Sequence, residues 1–470
     1  MKKLQDILYG VAIESIVGST AIEVESIEFD SRKVKKEALF IAQKGVVTDG
    51  HEFISSALSN GAVAIICEQL PEECKKGIVY VVVENASKAL GQVAANYYDN
   101  PSQKLSLVGV TGTNGKTTIA SLLFELFTAL GYPCGLISTV KISYQTKTWD
   151  NSHTTPDALS LNRHLSKMVL AGISHCFMEV SSHGIAQHRT AGLYFTGGVF
   201  TNLTHDHLDY HGDFKTYRDI KKLFFDQLLK TAFALTNLDD KNGAFMLQNS
   251  KAKTYSYALK QHADYKAQIL ECEFSGMLVK VQGQEVWTNL VGEFNTQNLL
   301  AVYAVAELLG ESSMDILKEL SLLKPIRGRF ETFQSDESIT VVIDYAHSPD
   351  ALENVLETIN KIRTKNETLI TIVGCGGNRD REKRPMIGKK AAALSDKVIF
   401  TSDNPRDEDP ALIISEIMEG VAPEDFKKVL KVTQREEAIA VAGNLANQGD
   451  VVLIAGKGHE TYQEIEGKKI

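Results

Sequence analysis

The first residues in this chain whose types and spacing could do chemistry are a glycine, a lysine and a threonine at a helix start. The stretch LVGVTGTNGKTTIASLLFELF places Gly115, Lys116 and Thr117 between an apolar strand and a helical run. Backbone N–H groups there can cradle phosphates, while the lysine reaches the β and γ phosphates and the threonine ligates Mg²⁺. The strict motif G-x-x-x-x-G-K-[ST] needs a glycine where Val110 stands, and Gly112 stands nearby instead, so the loop is a variant. A Gly-rich turn without a ligand is the alternative.

A second chemically capable group lies in TNLTHDHLDYHGDF, which contains His205, Asp206, His207, Asp209 and His211. The spacing is close to the H-x-H-x-D-H pattern of binuclear zinc hydrolases, but Tyr210 stands where the last histidine should be. A hydrolase would also leave the phosphate loop unexplained. One histidine and nearby carboxylates could instead complete the magnesium sites of an enzyme that uses ATP. A polar loop without a ligand is the third interpretation, and all three stay open here, with magnesium favoured.

A carboxylate is expected at the end of another strand, in CFMEVSSHGIAQHR. Glu179 stands where a strand-end side chain could ligate a metal beside the phosphate loop. The alternative is a helix-capping cluster, because Ser181 and Ser182 are good N-cap residues. Both interpretations fit the stretch.

Alternating strands and helices must position these residues. A chain of 470 residues suggests about three domains. From Leu105, the strand candidates LSLVGV, HCFMEV, GGVFTN and FALTN predict a mostly parallel sheet covered by helices. After LLKPIRGRFE, the candidates ITVVIDYAH, LITIVGCGG, KVIFTSDNP and DVVLIAGKG each end in a polar or Gly-rich loop, where ligands bind in open α/β sheets. We therefore predict an α/β protein with three domains: N-terminal mixed α/β (1–98), central P-loop ATPase with a mostly parallel sheet (99–325), and C-terminal Rossmann-like (326–470).

The bulk composition excludes some classes of function. The formal net charge of -9 is spread along the chain without a basic block, so we expect no nucleic-acid partner. The N-terminus lacks the apolar run of a secretion signal, and no apolar stretch is long enough to span a membrane. The six cysteines form no C-x-x-C pair and are expected to be buried apolar residues of a reducing compartment. We therefore predict a cytoplasmic protein.

The motifs, taken together and in order, resemble the Mur ligase family of peptidoglycan synthesis. The resemblance runs from about Ser31 to Glu464 and rests on GTNGKTT, EVSSHG-x-x-QHR, TN-L-x-x-DHLDYHG, GEFNTQN, RGRFE, DYAHSPDAL, GCGGNRDREKRP, DNPR and AGKGHE. Members usually continue beyond the segment that here reads EIEGKKI, but the amino-acid pocket is expected to survive because Glu460 is present.

The resemblance implies an ATP- and Mg²⁺-dependent acid–amino-acid ligase. The chain looks most like the members that add meso-2,6-diaminopimelate to UDP-N-acetylmuramoyl-L-alanyl-D-glutamate through an acyl phosphate. It is expected to act as a monomer. The alternatives are the L-lysine-adding members and, less favoured, a folylpolyglutamate synthetase-like ligase. DNPR and the paired threonines Thr154 and Thr155 weigh against the folate enzyme. A regulatory P-loop switch is an alternative from another class.

The resemblance also assigns the nucleotide and metal sites. Catalysis is expected from Lys116, Glu179, His207 and Lys221, and metal binding from Thr117, Glu179, His207 and Lys221 as a carbamate. Without the resemblance, Lys221 would be interpreted as a solvated helix lysine. The ATP-binding residues are expected to be Gly112, Thr113, Asn114, Gly115, Lys116, Thr117, Thr118, Asn295, Arg329 and Asp344. His347 could assist or be structural.

The two substrate sites follow in the same way. The UDP-linked substrate is expected on the N-terminal and central domains, at Ser31, Thr48, Thr154, Thr155, Ser181, Gln187 and Arg189. Diaminopimelate is expected on the C-terminal domain, at Arg379, Asp403, Asn404, Pro405, Arg406, Gly456 and Glu460. Arg406 would grip the distal carboxylate through two hydrogen bonds, and Glu460 would take the distal ammonium. Bound lysine would leave Arg406 partly buried and unpaired, at a cost of roughly 3–5 kcal/mol.

Overall fold

The computed structural model describes residues 1–45, 48–151 and 153–470, and these form three main β-sheets along the chain. The sheets have five, eleven and six strands. Helices lie between most of their parallel strands, so the predicted α/β class with three domains is confirmed. The boundaries at 98/99 and 325/326 stay a prediction.

The N-terminal part is a mixed sheet with short helices. Its elements are β1 (Lys2–Lys3), α1 (Leu4–Ile7), β2 (Ile13–Val17), β3 (Glu23–Val24), β4 (Ser26–Glu28), β5 (Ala38–Ile41), α2 (Ile54–Ser59), β6 (Ala62–Cys67), β7 (Val79–Val83) and α3 (Ala86–Tyr97), with 3₁₀ turns at Ser31–Lys33 and Gly50–Phe53. The main sheet has the order β2-β7-β6-β5-β4 and is parallel except for the β2–β7 pair. Helix α3 begins where the Asn85 side chain accepts a hydrogen bond from the Lys88 N–H.

The central part is one large sheet with helices on it. Its elements are β8 (Ser106–Thr111), α4 (Lys116–Ala129), β9 (Cys134–Ile137), β10 (Ile142–Tyr144), β11 (Lys147–Trp149), α5 (Ala158–Leu170), β12 (His175–Glu179), α6 (Ser182–Ala186), β13 (Gly197–Phe200), α7 (Leu208–His211), α8 (Phe214–Asp226), β14 (Phe233–Asn237), α9 (Gly243–Leu247), β15 (Lys253–Ala258), β16 (Tyr265–Glu273), β17 (Gly276–Val281), β18 (Gln284–Thr288), α10 (Glu293–Leu308) and α11 (Ser313–Leu322), with a 3₁₀ turn at Pro101–Gln103.

Strand order in the central sheet decides where ligands can meet. The order is β11-β10-β9-β12-β8-β13-β14-β15-β16-β17-β18, parallel from β9 to β16 and closed at both ends by antiparallel hairpins. Strands β12, β8 and β13 are direct neighbours. Because their carboxyl ends share one edge, the phosphate loop lies between Glu179 and the loop that carries the histidine cluster. The terminal hairpins were not predicted, since their strands are short or largely exposed on one face.

The C-terminal part is a second, smaller open sheet. Its elements are β19 (Glu331–Gln334), β20 (Thr340–Asp344), α12 (Pro349–Ile362), β21 (Leu369–Val373), α13 (Lys383–Leu394), β22 (Lys397–Phe400), α14 (Pro410–Met418), β23 (Val429–Lys431), α15 (Arg435–Leu445), β24 (Val451–Ala455), β25 (Glu464–Ile465) and β26 (Lys468–Lys469), with a 3₁₀ turn at Pro423–Lys428. The order is β19-β20-β24-β21-β22-β23, and only the β19–β20 pair is antiparallel. The four strands predicted here are all present.

The N-terminal part packs tightly on the central part. A Cβ at Gly91 of α3 would lie 2.5 Å from the carbonyl oxygen of Ala191, and one at Gly192 would lie 2.8 Å from the carbonyl oxygen of Gly91. The buried core around α3 also includes Ala158 and Leu159 of α5. Backbone therefore meets backbone at this contact, which larger side chains would push apart.

The cysteine expectation is only partly right. Cys67, Cys134, Cys176 and Cys375 are buried, but Cys74 is exposed and Cys272 is half-buried. Cys74 lies in the irregular connection between β6 and β7, where no core residue is needed.

Candidate active site

The phosphate loop is held by the loop that follows β13. The Thr113 N–H donates to the carbonyl oxygen of Asn202 at 2.8 Å, and the Asn202 side chain accepts from the Asn114 N–H at 2.9 Å. A Cβ at Gly112 would lie 1.8 Å from Thr201 Oγ1, so only glycine fits there. The variant position of this glycine, two residues later than in the strict motif, thus has a steric reason.

Two lysines meet at the carbonyl oxygen of Gly112. Lys116 Nζ donates to it at 2.9 Å and to the carbonyl oxygen of Thr113 at 2.8 Å. Lys221 Nζ donates to the same Gly112 oxygen at 2.8 Å. Lys221 is only 1% exposed, and burial, followed by the charge of Lys116, lowers its pKa well below the ordinary value. The solvated-lysine interpretation is therefore wrong, and the neutral amine that carbamate formation needs is favoured.

Glu179 ends β12 with a fully buried carboxylate that Thr139 fixes in place. Thr139 donates its backbone N–H to Oε1 at 2.7 Å and its hydroxyl to Oε2 at 3.1 Å. Thr139 was not predicted, because it lies 40 residues away in sequence and reaches Glu179 through the adjacency of β9 and β12. At the helix end of the phosphate loop, Arg329 Nη2 donates to Thr117 Oγ1 at 3.3 Å. The C-terminal part therefore reaches the nucleotide loop.

His207 and Asp206 form the part of the histidine cluster that faces the cleft. The His207 N–H donates to Asp206 Oδ1 at 2.9 Å, and His207 Nε2 lies 3.5 Å from Asp206 Oδ2. Desolvation in the cleft lowers the pKa of His207 to about 3, so the ring is neutral at neutral pH. Asp206 in turn pairs with Lys383 at the start of α13. A residue of the histidine cluster is thereby tied to the C-terminal part.

The other histidines of the cluster point to different partners. His205 Nε2 lies 3.3 Å from Asp380 Oδ2, and His211 Nε2 lies 3.0 Å from Ser182 Oγ. Across residues 1–45, 48–151 and 153–470, no three or more His, Cys, Asp or Glu side chains are grouped so that they could hold a metal ion. The binuclear zinc interpretation is therefore wrong.

The donor set predicted for magnesium remains chemically suitable. Glu179 at the end of β12 and Thr117 at the start of α4 offer oxygen atoms, which are the ligands that Mg²⁺ prefers. The neutral ring of His207 is the form that a metal ligand requires. Burial lowers the pKa of Lys221, which shifts its amine towards the neutral form that a carbamate precursor requires. The residues fit the ion, and the assignment of Thr117, Glu179, His207 and Lys221 as ligands stays a prediction.

The predicted adenosine-side residues flank the loop. Asn295 accepts from Asn298 at 3.2 Å, and Asn298 Oδ1 lies 2.6 Å from where a Cβ at Gly115 would stand. Helix α10 thus packs directly against the phosphate loop. Asp344 ends β20 and accepts the backbone N–H of Phe330 at 2.7 Å, which fixes the chain next to Arg329.

Four residues predicted for the UDP-linked substrate form one hydrogen-bonded network. Thr155 Oγ1 accepts from the Ser181 N–H at 3.0 Å and donates to the carbonyl oxygen of Glu179 at 2.9 Å. Arg189 donates to the carbonyl oxygen of Thr155 at 2.6 Å and to Gln187 Oε1 at 2.7 Å. The Ser181 hydroxyl also caps α6, so the capping interpretation is confirmed for Ser181. The network links Arg189 through Thr155 to the backbone of Glu179.

The remaining predicted residues of this site are more dispersed. The Thr154 hydroxyl lies 3.0 Å from the Thr139 hydroxyl, and because Thr139 donates its proton to Glu179, Thr154 is the donor in this contact and joins the Glu179 side. Ser31 is buried and its carbonyl oxygen accepts from Asn60, while Thr48 is exposed. Both belong to the N-terminal part, and no hydrogen bond between residues that the structure describes joins them to the Thr155 network. Their role stays a prediction.

The residues predicted for diaminopimelate converge between the ends of β22 and β24. Asn404 Nδ2 donates to Glu460 Oε2 at 3.0 Å, and Lys457 Nζ donates to Asn404 Oδ1 at 2.7 Å and to Glu460 Oε2 at 2.9 Å. A Cβ at Gly456 would lie 2.8 Å from Asp403 Oδ2, which is buried and has no hydrogen-bond partner among the described residues. Lys457 was not predicted, although it already supplies the ammonium partner of Glu460.

The hydrogen-bond partners of Arg406 differ from the expectation that its guanidinium is free for a ligand. Its Nε donates to Glu464 Oε2 at 2.9 Å and its Nη1 to the carbonyl oxygen of Gly377 at 2.8 Å. The argument that bound lysine leaves this guanidinium unpaired is therefore wrong, because Glu464 already pairs with it. Sequence could not reveal the pair, since the partners are 58 residues apart.

A buried arginine joins the two loops that carry Arg379 and Arg406. Arg384 is 1% exposed and donates to Glu408 at 2.9 Å through both terminal nitrogens and to the carbonyl oxygen of Gly376 at 3.2 Å. These hydrogen bonds lower the pKa of Glu408 to about 2. Neither residue was predicted, because an arginine near a helix start and a glutamate in a loop are usually solvated. The Arg384 guanidinium, held by the two carboxylates of Glu408 and Glu416, fixes these two loops relative to each other.

Comparison with known proteins gives a consistent picture over nearly the whole chain. Residues 23–98 match the Mur ligase family, catalytic domain; residues 110–306 match the Mur ligase middle domain; and residues 328–458 match the Mur ligase, glutamate ligase domain. The UDP-N-acetylmuramoyl-L-alanyl-D-glutamate--2,6-diaminopimelate ligase of Cytophaga hutchinsonii is 53% identical over 468 residues, which is 99% of this chain and 96% of that protein. The ligase of the same name from Bacteroides fragilis is 50% identical, with 99% and 96% covered.

Solved structures agree. A structure described as UDP-N-acetylmuramoyl-L-alanyl-D-glutamate--2,6-diaminopimelate ligase has a TM-score of 0.70 at 32% identity and covers 100% of this chain and 96% of its own. Folylpolyglutamate synthase from Mycobacterium tuberculosis, complexed with ADP and AMPPCP, has a TM-score of 0.65 at 18% identity, with 78% and 92% covered, which shows a shared fold alone. Among the helices that the structure describes, none is both long and apolar enough to cross a membrane.

Proposed function

This chain belongs to the Mur ligase family, and from that premise we propose that it joins meso-2,6-diaminopimelate to UDP-N-acetylmuramoyl-L-alanyl-D-glutamate at the expense of ATP. The reaction belongs to cytoplasmic peptidoglycan precursor synthesis, and we propose that the protein acts as a monomer. The full-length similarity to ligases of that name, at 53% and 50% identity, supports this substrate pair over L-lysine. The folate alternative has only a shared fold behind it.

One structural observation carries the proposal: the phosphate loop and the amino-acid pocket are connected by direct contacts. Thr117 of the phosphate loop accepts from Arg329 of the C-terminal part. A Cβ at the neighbouring Gly328 would lie 2.2 Å from the His459 N–H nitrogen, next to Glu460 of the amino-acid pocket. A nucleotide on the loop and an amino acid in the pocket would therefore share one cleft. A nucleotide switch would not need such a second pocket.

The chemistry proceeds in two balanced steps. The side-chain carboxylate of the D-glutamate attacks the γ-phosphorus of ATP, a P–O bond to ADP breaks, and an acyl phosphate forms. The amine of diaminopimelate then attacks the acyl carbon, the C–O bond to phosphate breaks, and the amine loses a proton as the amide forms. Activation by phosphate turns a poor leaving group into a good one, so the protein must mainly position reactants and neutralise charge.

Residues of this chain have definable tasks in that scheme. Lys116 neutralises charge on the transferred phosphoryl group, and the N–H groups at the start of α4 hold the phosphates. Arg189 and Thr155 orient the UDP-linked peptide beside Glu179. Bound Mg²⁺ would supply further charge neutralisation on the phosphate oxygens, held by Thr117 and Glu179 and, at a second position, by His207 and a carbamate on Lys221.

The pocket on the C-terminal part selects the amino acid. Arg406 and Arg379 offer guanidinium groups to carboxylates, and Glu460 offers a carboxylate to the distal ammonium. Closure of this part over the central one excludes water from the acyl phosphate. The ion pair between Lys383 and Asp206 supports such a closed arrangement.

Phosphate release from ATP tests the proposal. The protein is incubated with UDP-N-acetylmuramoyl-L-alanyl-D-glutamate and Mg²⁺, and meso-diaminopimelate, L-lysine or no amino acid is added. Release that depends on diaminopimelate is expected. Release with lysine alone would keep the ligase and discard the substrate choice, while release with neither would return the question to the folate or switch alternatives. Removal of Mg²⁺ by a chelator should abolish the release.

A further inference from the structure

The guanidinium of Arg406 has a resident carboxylate partner on the short hairpin of β25 and β26. We propose that Glu464 is a displaceable specificity residue: it pairs with Arg406 while the pocket is empty, and the distal carboxylate of the incoming amino acid replaces it. This inference rests on the proposed function, because it takes Arg406 as the residue that receives that carboxylate. The new element is a carboxylate of the chain itself, that of Glu464, which competes with the amino acid for Arg406.

The backbone around Glu464 is fixed independently of its side chain. The Arg406 N–H donates to the carbonyl oxygen of Glu464 at 3.0 Å, and the Glu466 N–H donates to the carbonyl oxygen of Arg406 at 2.9 Å. The Glu464 N–H donates to Asn404 Oδ1 at 2.9 Å. Because these bonds hold the main chain, the Glu464 carboxylate can leave Arg406 by rotation of its side chain alone. That side chain is 35% exposed, so solvent is available to receive it.

The Arg406 guanidinium, in contrast, is held in place by its own contacts. Arg406 has a φ of +52°, in the left-handed region that non-glycine residues rarely adopt, and its backbone hydrogen bonds to the hairpin hold this conformation. Its Nη1 is bonded to the carbonyl oxygen of Gly377, and it lies 3.1 Å from where a Cβ at Gly376 would stand. Arg406 therefore remains in the pocket when the Glu464 side chain leaves, and its guanidinium can donate hydrogen bonds to another carboxylate.

Competition for one guanidinium decides the energetics. Glu464 occupies Nε of Arg406 and the carbonyl oxygen of Gly377 occupies Nη1. An incoming carboxylate that binds through two hydrogen bonds on the Nε edge must therefore displace Glu464. A partly exposed ion pair such as Arg406–Glu464 contributes little to stability, so breaking it weakens diaminopimelate binding by no more than about fivefold. Lysine brings no distal carboxylate and leaves the pair intact. Selectivity for diaminopimelate thus arises from the hydrogen bonds that its distal carboxylate forms with Arg406. Binding of lysine leaves no unpaired charge, because Glu464 stays paired with Arg406.

The matched test uses Glu464→Gln, which keeps the size of the side chain and removes its charge. Its KM for meso-diaminopimelate should fall by about two- to fivefold, with kcat and the KM values for ATP and the UDP-linked substrate unchanged. Glu466→Gln is the control, because Glu466 is exposed on the same hairpin and carries the same charge. Its KM for diaminopimelate should equal that of the wild type.

Three outcomes would overturn the inference. A raised KM in Glu464→Gln would make Glu464 a positioning residue for Arg406, an unchanged KM would show that no displacement occurs, and an equal fall in both variants would show a general charge effect. Glu464→Ala should shift the KM in the same direction as Glu464→Gln, and the unchanged KM for ATP reports that both variants are folded. Wild-type protein without diaminopimelate-dependent phosphate release would refute the proposed function instead.

Discussion

Lys221 Nζ lies 2.8 Å from the carbonyl oxygen of Gly112, so helix α8 is tied directly to the first glycine of the phosphate loop. The lysine is buried and its pKa is lowered, which favours the neutral amine that reacts with CO₂. We expect Lys221→Arg to lose ligase activity by about 10- to 100-fold or more, because a guanidinium stays charged and forms no carbamate. Phosphate release under saturating substrates measures this.

The neighbouring lysine provides the control for that experiment. Lys222 pairs with Asp226 on the same helix, away from Gly112, so Lys222→Arg should retain activity. With ¹³C-labelled bicarbonate, wild-type protein and Lys222→Arg should show a carbamate carbon signal that Lys221→Arg lacks. The same signal in all three proteins would place the carbamate elsewhere.

The Asp206–Lys383 pair is predicted to hold the C-terminal part over the central one. Asp206 is 5% exposed, so Lys383→Met leaves a buried carboxylate uncompensated, at a cost of roughly 3–5 kcal/mol. We expect a fall in kcat of at least tenfold, with ATP binding less affected. The exposed Lys389 on the same helix supplies the control Lys389→Met. If Asp206→Asn combined with Lys383→Met is no better than Lys383→Met alone, the stranded charge is not the cause.

Arg406 is predicted to contribute more to diaminopimelate than to lysine. A hydrogen bond to a charged group is worth about 1.5–3 kcal/mol, so Arg406→Gln should raise the KM for diaminopimelate by roughly 10- to 150-fold. The activity with L-lysine should change little. Equal losses for both amino acids would mean that the variant damages the loop rather than the carboxylate contact, and thermal unfolding would then show it.

Stability at acid pH should depend on Glu408. Hydrogen bonds from Arg384 lower the pKa of Glu408 from 4.5 to about 2 in the folded protein. Since the folded value is below the unfolded one, the stabilisation is fully present above about pH 4.5 and is lost as the pH falls through about 2. Wild-type protein should therefore be more stable than Glu408→Gln at pH 6, and the difference should shrink towards pH 2. Urea unfolding across this range measures it, with Glu437→Gln, an exposed carboxylate on α15, as a control that shows no such trend.

Sequence reasoning located the parts of the site that local patterns encode. Gly115, Lys116 and Thr117 stand between a strand and a helix, and that order alone places them at a helix start. Glu179 could be placed at a strand end for the same reason. Strand neighbours in a parallel sheet then bring such ends together, so most of the phosphate side of the cleft was predictable.

What could not be predicted is mainly the partner of each charged group. Lys383 lies 177 residues from Asp206, and Glu464 lies 58 from Arg406, so no periodicity or spacing links them. The burial of Lys221 was equally hidden, since a lysine in an amphipathic helix is usually solvated. Long-range pairs depend on how domains dock, which local sequence does not encode.

The close approach of Gly91 to Ala191 has a thermodynamic consequence. The N-terminal part shares buried side chains, Ala158 and Leu159, with helix α5 of the central part and touches it backbone to backbone. Separating the two would expose apolar surface on both, so we expect them to melt in a single calorimetric transition. The N-terminal part, which the sequence suggests as a separate domain, is therefore expected to unfold together with the central part as one cooperative unit.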